Sequence, residues 1–274
     1  MPRRFAVASC AFGQNHEALA ELTYPFLEHY ARKVGAEFVP FRERKYPSTR
    51  PHFEKFQVAG LLRDGVDGVL WADCDLVINP GSPSIFEIVP EGCFAAVEDG
   101  GIRAVVESEL ACVRKNLGPI PENRGYLYFN SGFFVAWRGQ EHLFEIPEKL
   151  DYSVLGCPDQ TLLNYRVAAR GVRYFPLAPS WNVFWNDEKA FQTAKVVHFA
   201  GFPKQDLQGL VERLLKIVPF KIRFVCRECG GREFGYTWTH KRPSRYKGER
   251  AVGSHAAPDG SRHPLFEEVG GRGA

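Results

Sequence analysis

The chain has 274 residues and a formal net charge of only +3, from 35 Lys and Arg against 32 Asp and Glu. Apolar residues make up 45% and aromatics 14%, enough for a large core and incompatible with a disordered, collagenous or coiled-coil chain. So near-neutral a balance gives no electrostatic ground for nucleic-acid binding, and no run approaches the ~18 apolar residues of a spanning helix.

Seven cysteines are an odd count. Cys10, Cys74, Cys93, Cys112 and Cys157 are scattered, which reads as reduced thiols and a cytoplasmic setting. Phe5–Ala8, behind the basic Met1-Pro2-Arg3-Arg4, is too short for a signal-peptide core. Residues 221–274 hold 11 Lys and Arg against 6 Asp and Glu, net +5, leaving 24 against 26 in the rest. The expected organisation is a folded body over 1–220, a Cys-x-x-Cys hairpin or knuckle over 221–240, and a basic, disordered tail over 241–274.

In chain order, Phe5–Ala11 is a strand. Thr23 and Pro25 mark a helix start, Phe26, Leu27, Tyr30 and Val34 share one face, and Gly35 stops it. Glu37–Phe41 is a second strand. Phe53, Phe56, Leu61 and Leu62 lie on a helix ended by Gly65. Gly68–Ala72, Cys93–Val97 and Leu127–Trp137 are strands. Thr161–Arg170 is a helix closed by Gly171. Val172–Phe175 and Lys195–Phe199 are short strands, and Asp206–Val218 is an amphipathic helix. Apolar strands alternating with helices predict an α/β sheet, mainly parallel and covered on both faces. Ligands of such sheets bind beyond the carboxyl ends of the strands.

Four motifs carry polar groups there. Asp73-Cys74-Asp75 lies within the apolar run Leu70–Ile78. On a strand, i and i+2 share a face ~6–7 Å apart, and two carboxylates so placed repel unless a divalent cation joins them. The alternative is a strand-end turn leading into Asn79-Pro80-Gly81. Asn130-Ser131-Gly132 interrupts an aromatic strand, as a bulge or a close ligand approach does. Asp159-Gln160 opens a helix, where Asp159 would otherwise serve only as an N-cap. His198-Phe199-Ala200-Gly201-Phe202-Pro203-Lys204 places an imidazole, a tight turn and a cation together, a set suited to Mn²⁺ and phosphate.

Taken in order, D-x-D, F-N-S-G, D-Q and H-x-x-G-x-x-K resemble the family 8 glycosyltransferases, over roughly residues 5–205. Phe94–Asp99 and Trp181-Asn182-Val183 add to the likeness. The resemblance implies a GT-A, Rossmann-like fold with a mainly parallel mixed sheet. It also implies transfer of a hexose from a UDP-sugar, with retention, to a glycan, lipid or protein acceptor. It implies Asp73, Asp75 and His198 as ligands of Mn²⁺ or Mg²⁺. Ser9, Lys55, Asn130, Gly201 and Lys204 would be donor contacts, Asp159 and Gln160 catalytic residues, and Asp99 an acceptor contact. Gln160 would face the anomeric carbon opposite the leaving group. An amide is a poor nucleophile, which favours a front-face route in which the leaving phosphate accepts the acceptor's proton.

Two other functions fit the same residues: a sugar-nucleotide-binding module, and a sugar-nucleotide phosphohydrolase without transferase activity. Cys226 and Cys229 form half a zinc ribbon, with His240, His255 and His263 to follow as further ligands of a structural Zn²⁺; the alternative is a surface hairpin with two free thiols. Lys241, Arg242, Arg245 and Lys247, with Tyr236 and Trp238, suit peripheral contact with anionic lipid headgroups, or with nucleic acid; the alternative is a solvated tail.

Overall fold

The computed structural model describes residues 2–47, 49–99, 103–119, 128–147, 155–203, 206 and 209, and four short strands between 221 and 264. The chain forms two units. The first comprises Met1–Phe12, Ala31–Asp73 and Pro83–Asn182, and the second Gly13–Tyr30, Cys74–Ser82 and Val183–Ala274.

The first unit holds a six-stranded sheet in the order β2-β1-β3-β6-β5-β7. Its strands are β1 (Phe5–Cys10), β2 (Ala36–Phe41), β3 (Gly68–Ala72), β5 (Cys93–Glu98), β6 (Phe129–Trp137) and β7 (Arg173–Leu177). Neighbours pair in parallel except across β6, which alone runs against the other five. This is the α/β sheet expected from the apolar strands alternating with helices. One face packs a core of Phe53, Phe56, Phe94, Phe134, Phe144 and Leu162 with their neighbours. These come from 3₁₀ turns at Pro51–Gln57 and Glu141–Phe144, from α2 (Val58–Arg63), α4 (Arg103–Leu117) and α5 (Pro158–Ala169), and from the sheet itself. On the other face Phe5 stacks on Phe86 of α3 (Ile85–Ile88), and Phe133 on Trp181.

The regular ladder breaks once. Between its pairings with β6, β5 advances two residues, from Ala96 to Glu98, while β6 advances five, from Phe134 to Phe129. The excess is three residues, the length of Asn130-Ser131-Gly132. An odd excess reverses side-chain parity, so Phe129 and Phe134 both reach Phe94, at 5.0 and 5.3 Å between ring centroids.

In the second unit β4 (Leu76–Ile78), β8 (Val183–Phe184) and β9 (Val196–His198) form a sheet in the order β4-β9-β8. It packs with Leu19, Leu22 and Phe26 of α1 (Gln14–Lys33). Two antiparallel hairpins follow: β10 (Lys221–Val225) with β11 (Glu233–Thr237), and β12 (Ser254–Ala256) with β13 (Arg262–Pro264).

Several expected boundaries move. Helix α1 starts at Gln14, not after Thr23 and Pro25. Gly13, at φ 91°, turns the chain, its carbonyl accepts from the amides of His16 and Glu17, and its own N–H donates to Glu17 Oε1. Thr23 is thus mid-helix, its buried hydroxyl 2.6 Å from Cys74 O, and the helix tolerates Pro25 at the loss of one hydrogen bond. The helix expected through Phe53–Leu62 is a 3₁₀ turn running into α2. Gly35 and Gly171 close their helices at φ 69° and 67°, as expected.

The main correction concerns Asp73 and Asp75. Strand β3 ends at Ala72, and Cys74 and Asp75 form a turn before β4, so the two carboxylates do not share a strand face. An apolar ladder has no partners for two charges, whereas a turn frees them. Cys226, Cys229, Lys204 and nearly all of 206–218 lie outside the described residues.

Candidate functional site

The three-residue excess of β6 builds the centre of the first unit's polar cluster. Ser131 N donates to Gln160 Oε1 at 3.0 Å, and Ser131 Oγ donates to Asp159 Oδ2 at 3.1 Å. Lys55 Nζ lies 2.7 Å from Asp159 Oδ2 and 3.5 Å from Asp73 Oδ1, and it also donates to the carbonyl and hydroxyl of Ser131. Gln160 Nε2 donates to Asp99 Oδ2 at 3.1 Å. Asn164, one helical turn beyond Gln160, bonds both backbone groups of Phe129 and the carbonyl of Gln160. Asn130 Oδ1 accepts from Gly132 N and from Asn182 Nδ2, each at 3.0 Å. Asp73 N donates to Gly132 O at 2.8 Å.

Helix α5 starts at Pro158 with Cys157 as its N-cap, so Asp159 is not the capping residue. Its carboxylate turns instead to Lys55 and Ser131. Burial alone would raise the Asp159 pKa. The Lys55 ammonium, its hydrogen bond, His52 and the Ser131 hydroxyl outweigh that and hold it below the usual carboxylate range. Burial likewise works against the Lys55 charge, but the carboxylates of Asp159 and Asp73 dominate and raise its pKa above the ordinary lysine value. Lys55 is only 3% exposed, and every contact just named is internal. Near this pair, burial pushes the Cys10 thiol up to about 12; the Asp73 carboxylate adds to the rise and Lys55 opposes it.

In the second unit, Leu76 pairs with His198 across β4 and β9, and Asp75 O accepts from Phe199 N. That register sets His198 Nε2 at 3.2 Å from Asp75 Oδ1, with Phe184 stacked 5.6 Å from the imidazole. Asp75 and His198 thus bring a carboxylate and an imidazole together in the second unit, and Asp73, two residues earlier in the chain, ends the Ala31–Asp73 segment of the first. Carboxylate and imidazole ligands suit Mn²⁺ or Mg²⁺ in donor chemistry.

Ser9 ends on a buried hydroxyl with no hydrogen-bond partner among the described residues. Gly201 turns at φ 71° with open space where a Cβ would stand. Ser131, Asn164 and Trp71 also touch the cluster, although no local motif marks their side chains as functional. Asn164 sits at i+4 from Gln160 and Trp71 at i−2 from Asp73, spacings that put side chains on one side of a helix or an extended strand.

No protein-family model matches the chain, and no curated protein matches it in sequence. Among solved structures it is similar to a glycosyltransferase involved in the glycosylation of the major capsid of PBCV-1. That likeness has a TM-score of 0.54 at 14% identity, covering 76% of this chain and 98% of that one. It is also similar to the apo structure of WbbM, a bifunctional glycosyltransferase, with a TM-score of 0.46 at 17% identity, covering 73% of this chain and 46% of that one. The fold is therefore one that a glycosyltransferase also has. No helix among the described residues is long and apolar enough to cross a membrane.

Proposed function

We propose that the chain is a metal-dependent, retaining glycosyltransferase that moves a hexose from a UDP-sugar to a glycan, lipid or protein acceptor. The observation that carries this reading is the pairing of Asp75 with His198 at 3.2 Å in the second unit, with Asp73 two residues before Asp75 in the chain. These three residues would hold Mn²⁺ or Mg²⁺. The bound ion supplies positive charge against a departing diphosphate.

The chain's own groups do the rest. Ser9, Asn130, Gly201 and Lys204 bind the donor. Gln160, held by Asp99 at one end and Ser131 N at the other, offers a fixed amide dipole to the positive charge that develops on the sugar. Asp159 balances Lys55 and stays ionised beside it. An amide and a carboxylate already engaged by an ammonium are both weak nucleophiles, which supports the front-face route over a covalent glycosyl intermediate.

The test is a screen of nucleotide-sugars for thermal stabilisation of the chain and for Mn²⁺-dependent donor cleavage, with products analysed with and without candidate acceptors. Sugar moved to an acceptor supports the transferase. Release of sugar phosphate regardless of acceptor indicates a phosphohydrolase, and stabilisation without turnover indicates a binding module.

A further inference from the structure

Asp73 is held in an uneven way. Trp71 Nε1 donates to its Oδ1 at 2.7 Å, and Lys55 Nζ stands 3.5 Å from that same oxygen. Among the described residues no donor reaches Oδ2. The Asp73 side chain is 29% exposed while that of Lys55 is 3% exposed. One oxygen of the carboxylate is therefore tied to the interior and the other is left for a partner.

The Trp71 ring has little freedom. It is 1% exposed and stacks between Phe41 and Phe134, each 6.3 Å away, at 19° and 21° between planes. Its N–H has a fixed direction set by two aromatic neighbours on β2 and β6. Residues i and i+2 of an extended segment lie on one side, so the last aromatic side chain of β3 reaches forward to the first acidic residue beyond the strand. The backbone of Asp73 is pinned as well, through its N–H to Gly132 O at 2.8 Å. A short N–H···O⁻ bond of this kind restricts the carboxylate's rotation and withdraws charge from one oxygen.

We propose that Trp71 is the positioning residue of the metal site: its indole N–H holds Asp73 so that Oδ2 alone is presented to the cation. The inference rests on the reading of Asp73 as a metal ligand. The competing account is that a buried indole N–H needs an acceptor and takes the nearest one. Under that account the bond stabilises the core but leaves metal affinity unchanged.

The two accounts separate by Mn²⁺ binding to the full chain without donor, followed by the loss of the free-Mn²⁺ paramagnetic resonance signal. Trp71→Phe keeps a stacking ring and removes the N–H. Replacing Trp71 with benzothienylalanine keeps the bicyclic outline and puts sulfur in place of N–H, so folding is preserved if Trp71→Phe is too disruptive. Loss of such an orienting partner weakens metal binding by about 10–100-fold. We expect that weakening in both variants, together with a smaller Mn²⁺-induced rise in melting temperature. Wild-type chain that binds Mn²⁺ while both variants bind it equally well overturns the role of Trp71 and spares the metal site. Wild-type chain that binds no Mn²⁺ overturns both.

Discussion

Lys55 and Asp159 form a buried ion pair at 2.7 Å between the 3₁₀ turn before α2 and the first turn of α5. Ser131 accepts from one partner and donates to the other. Removing one member of such a pair leaves the other charged and uncompensated, at about 3–5 kcal/mol. Lys55→Met should therefore lower the urea midpoint strongly, and Lys55→Met combined with Asp159→Leu should recover most of the loss. A single variant as stable as wild type would show that the pair is not closed in solution.

The same pair sets a pH profile. Asp159 has a depressed pKa in the folded chain, so its contribution is present above the unfolded value of about 3.9 and is lost as pH falls through the folded value. Lys55 has a raised pKa, so its contribution is present below about 10.4 and is lost as pH rises through the folded value. The stability difference between wild type and the double variant should be flat from roughly pH 5 to 9 and should change below roughly pH 4. Urea titrations across that range measure it.

Asp99 hydrogen-bonds Gln160, which gives a kinetic test of its role. Gln160→Ala should lower kcat by about 100-fold with little change in the donor KM, since misplacing a group that acts on the transition state costs turnover more than binding. Asp99→Ala should lower kcat in the same direction for every acceptor. If Asp99 serves the acceptor alone, its loss will instead raise the KM for the acceptor and leave donor cleavage unchanged.

Asp75→Asn keeps the shape of the side chain beside His198 and removes one charge. Mn²⁺ and UDP-sugar should bind wild type with positive coupling, and this variant should lose the coupling while keeping its fold. Calorimetric titration with Mn²⁺, and then with chelator, measures it. Equal donor affinity in both conditions for wild type would end the metal-dependent reading.

With its pKa pushed up to about 12 by burial, the Cys10 thiol should be only about one part in ten thousand thiolate at pH 8. Cys157 is exposed and should be alkylated first. Iodoacetamide labelling followed by peptide mass spectrometry ranks the two, and early labelling of Cys10 would mean that its surroundings are open to water.

Much of this arrangement was legible in the chain. Apolar runs such as Gly68–Ala72 mark sheet strands because both faces are covered, and glycines such as Gly35 and Gly171 end helices because they accept positive φ. The start of α1 was hidden because its signal is a Gly13 turn closed by Glu17, while Thr23 and Pro25 imitate a start further on. The turn at Cys74-Asp75 was hidden for a related reason: apolar residues on both sides read as one strand, and only tertiary pairing of Leu76 with His198 breaks it. Asp73, Asp159 and Gln160 could be picked from local pattern. Their partners Lys55, Ser131 and Trp71 act through contacts that no local spacing encodes in full.

The surplus in β6 has a consequence for how this chain can be engineered. Without Asn130-Ser131-Gly132, Phe129 would follow directly on Phe133 in the ladder, and β5 and β6 would match residue for residue between Ala96 and Glu98. The smoother sheet would discard the Ser131 groups that hold Lys55, Asp159 and Gln160. Deleting these three codons should therefore cost heat resistance as well as turnover, because buried Lys55, Asp159 and Gln160 would lose their Ser131 partners.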